Sequence, residues 1–375
     1  MKLLTNIARE HLGGITTTNN SLLSFLAGQK CPVVGLEFET ARSMKGPIAM
    51  DGADPELFEH YIVNIHDFPL DSIIAASANI EEIKNNFQPV IEEIGRLIET
   101  TRPDVVLING TSYFPWLIAI AAKKAGLPII LRYHGVSSKE KSNLPEEMRN
   151  KFLKIEKSFI DLADTFIFPS RLCQEAVEKE VFDKKLSNAY VIPNPVQAPP
   201  AGDQELPHRK IGAVGRLFWI KNIEAFFRLH EILTEQSWEH SASLVTEAND
   251  MKNLPPTIEY FVPMENKKIF DFYQSQGIII APSHFETFGN VPMEAVCMGV
   301  PVLVSDQMGC AEILIAAGLG NMVIDFSDLE AAASRVKELC GQKVPAEAVE
   351  KIRKMLDPDM INGRIHKILQ QVLNK

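Results

Sequence analysis

The amino-acid sequence predicts two doubly wound α/β domains joined by one linker, and three observations carry that prediction. A chain of 375 residues is longer than a single core comfortably organises. Short apolar runs alternate with longer amphipathic stretches, the rhythm of parallel strands covered by crossover helices. That rhythm stops once, at VQAPPAGDQELPH (residues 196–208), which is dense in proline and glycine and has no apolar period. Domains are therefore expected over residues 1–197 and 208–357, with a linker at 198–207 and a last helix over 358–375.

In the first half, strands are expected at residues 2–7, 33–37, 105–108, 129–133, 165–169 and 190–192. Helices are expected at 17–26, 80–99, 114–125, 146–162 and 172–181. The run from Asp104 to Asn109 is apolar at every inner position, as a strand buried on both faces requires. After the linker, strands are expected at 211–214, 242–246, 258–262, 278–280, 302–305 and 323–324, and helices at 223–234, 267–275 and from Pro292 to Gly299. The closing stretch puts Ile361, Ile365, Ile368, Leu369 and Val372 on one side of a helix. Two such domains leave a cleft between the carboxyl ends of their sheets, where ligands of this architecture bind.

Composition narrows the function. Hydrophobic residues at 46% and charged residues at 23% are ordinary globular values. A net charge of −10 argues against a general nucleic-acid binder. The five cysteines are scattered with no C-x-x-C pair, which reads as free thiols in a reducing compartment. Arg9 and Glu10 interrupt the start before a signal-peptide core forms, and no run reaches the roughly 20 apolar residues that cross a bilayer. A cytoplasmic protein is expected.

The chemistry concentrates in the second half. In AVGRLFWIKN the strand ends at Gly215, and Arg216 and Lys221 follow within one loop, a planar donor fork and a compact charge that suit a diphosphate. The stretch SHFETFGNVPMEA (283–295) follows another strand. There Gly289 permits a sharp turn, Asn290 can cap, and Pro292 suits a first helical turn. The helix N-terminus offers free N–H groups and a positive dipole end to phosphate or hydroxyl oxygens. Glu286 before the turn and Glu294 in the first helical turn can face one pocket, and ionised carboxylates accept from the vicinal hydroxyls of sugars and ribose. A structural alternative makes Glu294 a helix-dipole partner and Glu286 a loop acid.

The stretch SHFETFGNVPMEAVCMGVPVLVSD resembles the glutamate–seven residues–glutamate signature of family-four retaining glycosyltransferases. The resemblance extends to Gly215, Arg216 and Lys221, to VIPNPV (191–196) and to IEYFVPMENKKIFDFYQSQGIIIAPS, and it covers the second domain with more specific motifs than the first. It implies the GT-B fold: two Rossmann-like domains facing across a cleft, with the C-terminal helix packed back on the N-terminal domain. It also implies Glu286 against the transferred sugar's hydroxyls, Glu294 on the ribose, and backbone N–H groups at Phe288, Gly289, Asn290 and Val291 on sugar and diphosphate. Arg216 and Lys221 would neutralise the departing diphosphate, and the loop at 260–263, Val262 included, would lie near the base. Two departures stand out. The family usually has glycine after the lysine, where this chain has Asn222, and a glycine-rich turn where it has TEAND (246–250).

In the first half, Gly13 and Gly14 precede a helix and allow close backbone approach to the donor, though a plain turn explains them as well. No G-x-G-x-x-G or G-x-x-x-x-G-K-[ST] motif is present. His134-Gly135 closes a strand. Alone such a histidine is more often structural; in the family it lines the donor-sugar side of the cleft. Residues 139–157 mix lysines and arginine with glutamates and read as a solvated face. Some relatives touch anionic membranes through a basic helix of this domain, which leaves weak peripheral membrane contact open. No side-chain set has metal-ligand spacing, and neither a metal nor another cofactor is expected.

The expected activity is transfer of a sugar from a UDP- or GDP-linked donor, with retention, to an acceptor hydroxyl on a glycan, lipid-linked or small-molecule acceptor. Loops at 43–59 and 133–145 would choose that acceptor. A nucleotide-sugar epimerase of the same fold and a non-catalytic nucleotide-sugar-binding relative remain as alternatives.

Overall fold

The computed structural model describes residues 1–7, 14–39, 56–65, 70–202, 205–247, 254–264 and 266–374. The chain divides into two compact units, one made of Met1–Pro195 with Pro358–Lys375, the other of Val196–Asp357.

Unit 1 holds β1 (Leu3–Asn6), β2 (Val33–Glu39), β3 (Phe58–Asn64), β4 (Val105–Asn109), β5 (Ile129–Arg132), β6 (Thr165–Phe168) and β7 (Ala189–Val191) in the order β3-β2-β1-β4-β5-β6-β7. Unit 2 holds β8 (Lys210–Val214), β9 (Ser241–Val245), β10 (Ile258–Phe261), β11 (Ile278–Ala281), β12 (Val302–Ser305) and β13 (Val323–Ile324) in the order β10-β9-β8-β11-β12-β13. Every pairing in both sheets is parallel. The strand order reverses between β1 and β4 and again between β8 and β11. Those are the switch points at whose carboxyl ends such sheets bind ligands. The predicted class, two Rossmann-like α/β domains, is the observed one.

The helices of unit 1 are α1 (Gly14–Gly28), α2 (Leu70–Ala76), α3 (Ile80–Asn86), α4 (Gln88–Thr101), α5 (Tyr113–Lys124), α6 (Ser137–Glu140), α7 (Glu146–Leu162) and α8 (Arg171–Ala176). Those of unit 2 are α9 (Ile223–Glu235), α10 (Asn266–Gln274), α11 (Asn290–Cys297), α12 (Cys310–Ala316), α13 (Leu329–Leu339) and α14 (Ala346–Met355). The last helix, α15 (Pro358–Leu373), belongs to unit 1: Ile361, Ile365, Ile368 and Leu369 share a core cluster with Leu22, Leu23 and Leu26 of α1 and with β1 and β4. Asn362 Nδ2 donates to Ser21 Oγ at 2.9 Å across the same seam. Four buried aliphatic side chains contribute on the order of 6–12 kcal/mol before entropy is subtracted, enough to hold the chain's end on the first unit. The segment after Pro195 is tied to unit 2 by Arg353, whose guanidinium donates to Ala198 O at 3.1 Å and to Pro199 O and Cys297 O.

Several elements depart from the expectation. The single helix expected over 80–99 is two, α3 and α4, broken at buried Phe87. Pro89 cannot donate the hydrogen bond that would carry one helix into the next. The expected acceptor loop at 43–59 ends in a strand: β3 pairs with β2 over seven residues, from Val33↔Phe58 to Glu39↔Asn64, while residues 43–55 lie outside the described ones. As an edge strand it mixes polar and apolar residues with only Val63 buried, and so it lacks the continuous apolar run of the inner strands. Helices α12, α13 and α14 were not anticipated; the last two bury only a narrow stripe, in α14 Ala348, Val349 and Ile352. Finally, the mixed-charge stretch 139–157 is not simply a solvated face. Lys151 and Glu156 are buried, Lys151 Nζ donating to Ala75 O at 2.6 Å. Glu156 accepts from Ser137 N and Ser138 N at the start of α6, and from Thr111 Oγ1, each at 3.0 Å. A carboxylate at a helix start is held by the orphan N–H groups there.

Candidate active site

In unit 2 the site grows from four strand ends. β8 ends into Gly215, whose N–H donates to Val245 O at 3.0 Å. Arg216 follows, its Nε 2.5 Å from Glu247 Oε1 at the end of β9 and its guanidinium over the Phe218 ring. One short helical turn, Trp219–Lys221, then delivers Lys221 to Glu286, and Nζ and Oε2 form an ion pair. Asn222 takes a left-handed conformation, φ 50°, and its Nδ2 donates to Pro282 O at 3.0 Å. This explains the departure from glycine after the lysine. The position demands positive φ, asparagine is among the few residues that tolerate it, and its amide here also ties two loops together.

β11 ends into the second loop. Its backbone is fixed by His284 N to Ile220 O at 2.9 Å, Glu286 N to Gln307 O at 3.0 Å, Gly309 N to Glu286 O at 2.9 Å and Cys310 N to Phe288 O at 2.6 Å. Phe288 is buried, and Gly289 turns at φ 108°, a conformation that excludes other residues without strain. α11 starts at Asn290, not at Pro292. Gly289 is the cap, so Asn290 is the first helical residue and not the cap. Pro292 has no N–H and the Met293 N–H makes the first bond inside the helix, so the N–H groups that point along the axis at its start belong to residues no later than Val291.

The two acids meet different surroundings. Glu286 is partly exposed and ion-paired. Glu294 carries its carboxyl inward, where the Tyr273 hydroxyl of α10 donates to Oε2 at 2.9 Å. Burial raises its pKa to about 7, against the Tyr273 hydrogen bond, which lowers it. The expectation of two ionised acids is therefore corrected: burial holds Glu294 near half-protonation at neutral pH. Tyr273 was not singled out in the sequence, and nothing in its spacing of 21 residues from Glu294 announces a contact between two helices. Val262 is exposed just beyond β10. Of TEAND, Thr246 and Glu247 are placed, and the remainder lies outside the described residues.

In unit 1 the switch point carries a different set. Asn109 ends β4; its Nδ2 donates to Thr5 Oγ1 at 2.9 Å and its N–H to Asn6 Oδ1 at 2.7 Å, joining β4 to β1. His134, just past β5, lies with Nε2 3.1 Å from Asn109 Oδ1. Burial and the nearby Arg132 charge push its pKa well below the ordinary value, so the imidazole is neutral. Arg132 is itself buried, its Nη2 donating to Asn194 Oδ1 at 3.3 Å. Gly14 opens α1, and Gly13 lies outside the described residues. Among the described residues no three His, Cys, Asp or Glu side chains gather in a way that could hold a metal ion, and no helix is long and apolar enough to cross a membrane.

Comparison with known proteins adds to this geometry. The family model described as Glycosyl transferases group 1 matches residues 203–355, and that described as Glycosyltransferase Family 4 matches residues 13–198. A capsular polysaccharide biosynthesis glycosyltransferase of Staphylococcus aureus is 23% identical over 148 residues, 37% of this chain and 38% of that protein, so the match spans well under half of that relative. Sucrose-phosphate synthase from Thermosynechococcus elongatus superposes with a TM-score of 0.76 at 16% identity, covering 100% of this chain and 99% of that one. A trehalose-6-phosphate structure from E. coli, bound with UDP-2-fluoro glucose, gives 0.70 at 13% identity, with 99% of each chain covered. At these identities the superpositions show the fold.

Proposed function

Because the chain belongs to the family-four glycosyltransferases, we propose that it is a retaining enzyme that moves a sugar from a nucleotide diphosphate sugar to an acceptor hydroxyl. The observation that carries this reading is the Lys221–Glu286 ion pair beside the Gly289 turn and the start of α11, at the switch point of the second sheet.

Each cation of the site already holds a carboxylate, Lys221 on Glu286 and Arg216 on Glu247. An incoming diphosphate exchanges a carboxylate for a phosphate, which costs less than stripping a bare cation of water. Glu286, released from its lysine, then accepts from sugar hydroxyls. In the reaction the bond from the anomeric carbon to the diphosphate oxygen breaks and a bond to the acceptor oxygen forms on the same face. The acceptor's proton passes to the departing phosphate oxygen. Negative charge grows on that phosphate, where Arg216, Lys221 and the first N–H groups of α11 are fixed in advance, a preorganised contribution of several kcal/mol. These groups supply the charge a metal would supply elsewhere, so no metal is needed. Glycans, lipid-linked sugars or small glycosides are the acceptors this reading takes.

Thermal unfolding with UDP and with GDP tests the reading. The matching nucleotide, present at about 100 times its Kd, should add about 2.7 kcal/mol of stability. No shift with either would remove the donor assignment.

A further inference from the structure

The loops after β8 and β11 lie side by side in a definite register. Trp219 packs on His284 with ring centroids 4.7 Å apart and planes tilted by 32°, His284 N donates to Ile220 O at 2.9 Å, and Lys221 pairs with Glu286. Residue 219 thus faces 284 as 221 faces 286. The aromatic pair stands two residues along from the ion pair, on the order of 4–7 Å.

Core packing does not account for Trp219. Ile220 is the residue of that turn that anchors it in the interior, whereas Trp219 keeps 48% of its surface in solvent and its neighbour Phe218 keeps 58%. Leaving an indole in water forgoes the burial of a side chain worth 150–250 Å², and exposed aromatics grouped beside polar groups mark binding surfaces. One face of this indole is backed by an imidazole, which holds it in place. About half of its surface stays open to solvent, and a cation and a carboxylate stand two residues along. A pyranose ring is the complementary shape, with an apolar face of C–H groups and a rim of hydroxyls. The diphosphate and donor sugar are already served by Arg216, Lys221 and Glu286, which leaves the indole for a second ring.

We propose that Trp219, backed by His284, is the platform on which a pyranose ring of a saccharide acceptor stacks, beside the pair that receives the donor. This assignment rests on the donor-site reading above, and the experiment separates the two.

The full-length chain is titrated with methyl α- and β-glycosides of glucose, galactose, mannose and N-acetylglucosamine, each with UDP or GDP present, and binding is read by saturation-transfer NMR. Thermal shifts with the same nucleotides are recorded in parallel. At least one glycoside should bind through its ring C–H protons, more weakly by about fivefold in Trp219→Ala and with partial recovery in Trp219→Phe. The nucleotide shift should be equal in all three chains. Equal glycoside binding in Trp219→Ala and the unsubstituted chain, or no binding by any glycoside at tens of millimolar, overturns the platform. A nucleotide shift that falls in Trp219→Ala overturns it in favour of base stacking. Loss of binding to phosphatidylglycerol–phosphatidylcholine vesicles, with saccharide binding unmoved, overturns it in favour of a lipid contact. If neither nucleotide stabilises even the unsubstituted chain, the donor reading fails on its own, while the glycoside signal at Trp219 is still read directly.

Discussion

At the carboxyl end of the first sheet His134, Asn109, Asn6 and Thr5 form a chain of uncharged hydrogen bonds, with a neutral imidazole at its outer end. At the corresponding end of the second sheet, Lys221–Glu286 and Arg216–Glu247 are ion pairs with partly exposed members. Strand order is shared, and both sets sit at a switch point. Topology therefore decides where ligand-facing groups stand, and side-chain chemistry decides what they recognise. In the neutral network the donors and acceptors are matched to one another and join the strand ends. Ion pairs in reach of water exchange one anion for another at little cost, which is what the proposed site for a charged leaving group requires.

The largest effect that would sharpen this contrast belongs to Glu294, the one acid of the second site that burial has moved toward neutrality. Its folded pKa, about 7, lies above the ordinary 4.5, so between those values the folded chain holds a proton that the unfolded chain releases. The stability this contributes is complete below pH 4.5 and is lost as pH rises to 7, on the order of 3 kcal/mol in all. Denaturant unfolding at acidic and alkaline pH should show that slope, and Glu294→Gln should flatten it. A slope that survives the substitution would return Glu294 to the charged set.

Next in size is the cation. Lys221→Ala should lose about 2–3 kcal/mol of transition-state binding, read as a fall in kcat/KM, from one charge-assisted contact. An unaltered kcat/KM would mean that the second site does not work through charge. In the first unit, Asn109→Ala removes the amide's bonds to Thr5 Oγ1 and to the His134 ring and should destabilise the fold by about 1–3 kcal/mol. If it costs nothing, the neutral network is ornamental and the contrast between the units dissolves. The smallest effect concerns Asn222. Asn222→Ala should cost about 1–2 kcal/mol, since alanine resists positive φ, whereas Asn222→Gly should stay within about 1 kcal/mol, relief of strain offsetting the lost bond to Pro282 O. Equal losses in both would place the whole role in the amide.

Much of the fold could be read directly. The inner strands are short and uniformly apolar, as β4 shows with five buried residues in a row, and such runs announce themselves. β3 did not, because an edge strand shows water half of its residues and its partner supplies the rest of its stability. Arg216, Lys221 and Glu286 were legible because each lies in the loop after a strand, and the Gly289 turn was legible because only glycine suits its φ. Trp219 was hidden in plain view: its partner His284 is 65 residues further on, and exposure is not written in a pattern of types.

By itself the sequence determined the alternation of strand and helix, the loops that carry charge and the glycine turn that leads into α11, since period and turn chemistry are local properties. Only tertiary structure decided the state of the two acids. Glu286 and Glu294 are the same residue type eight positions apart, yet Lys221, 65 residues before Glu286, pairs with one, and burial carries the other toward neutrality against the hydrogen bond from Tyr273, 21 residues before it. Charge state follows from solvation and partners, and both are settled by what the folded chain brings near.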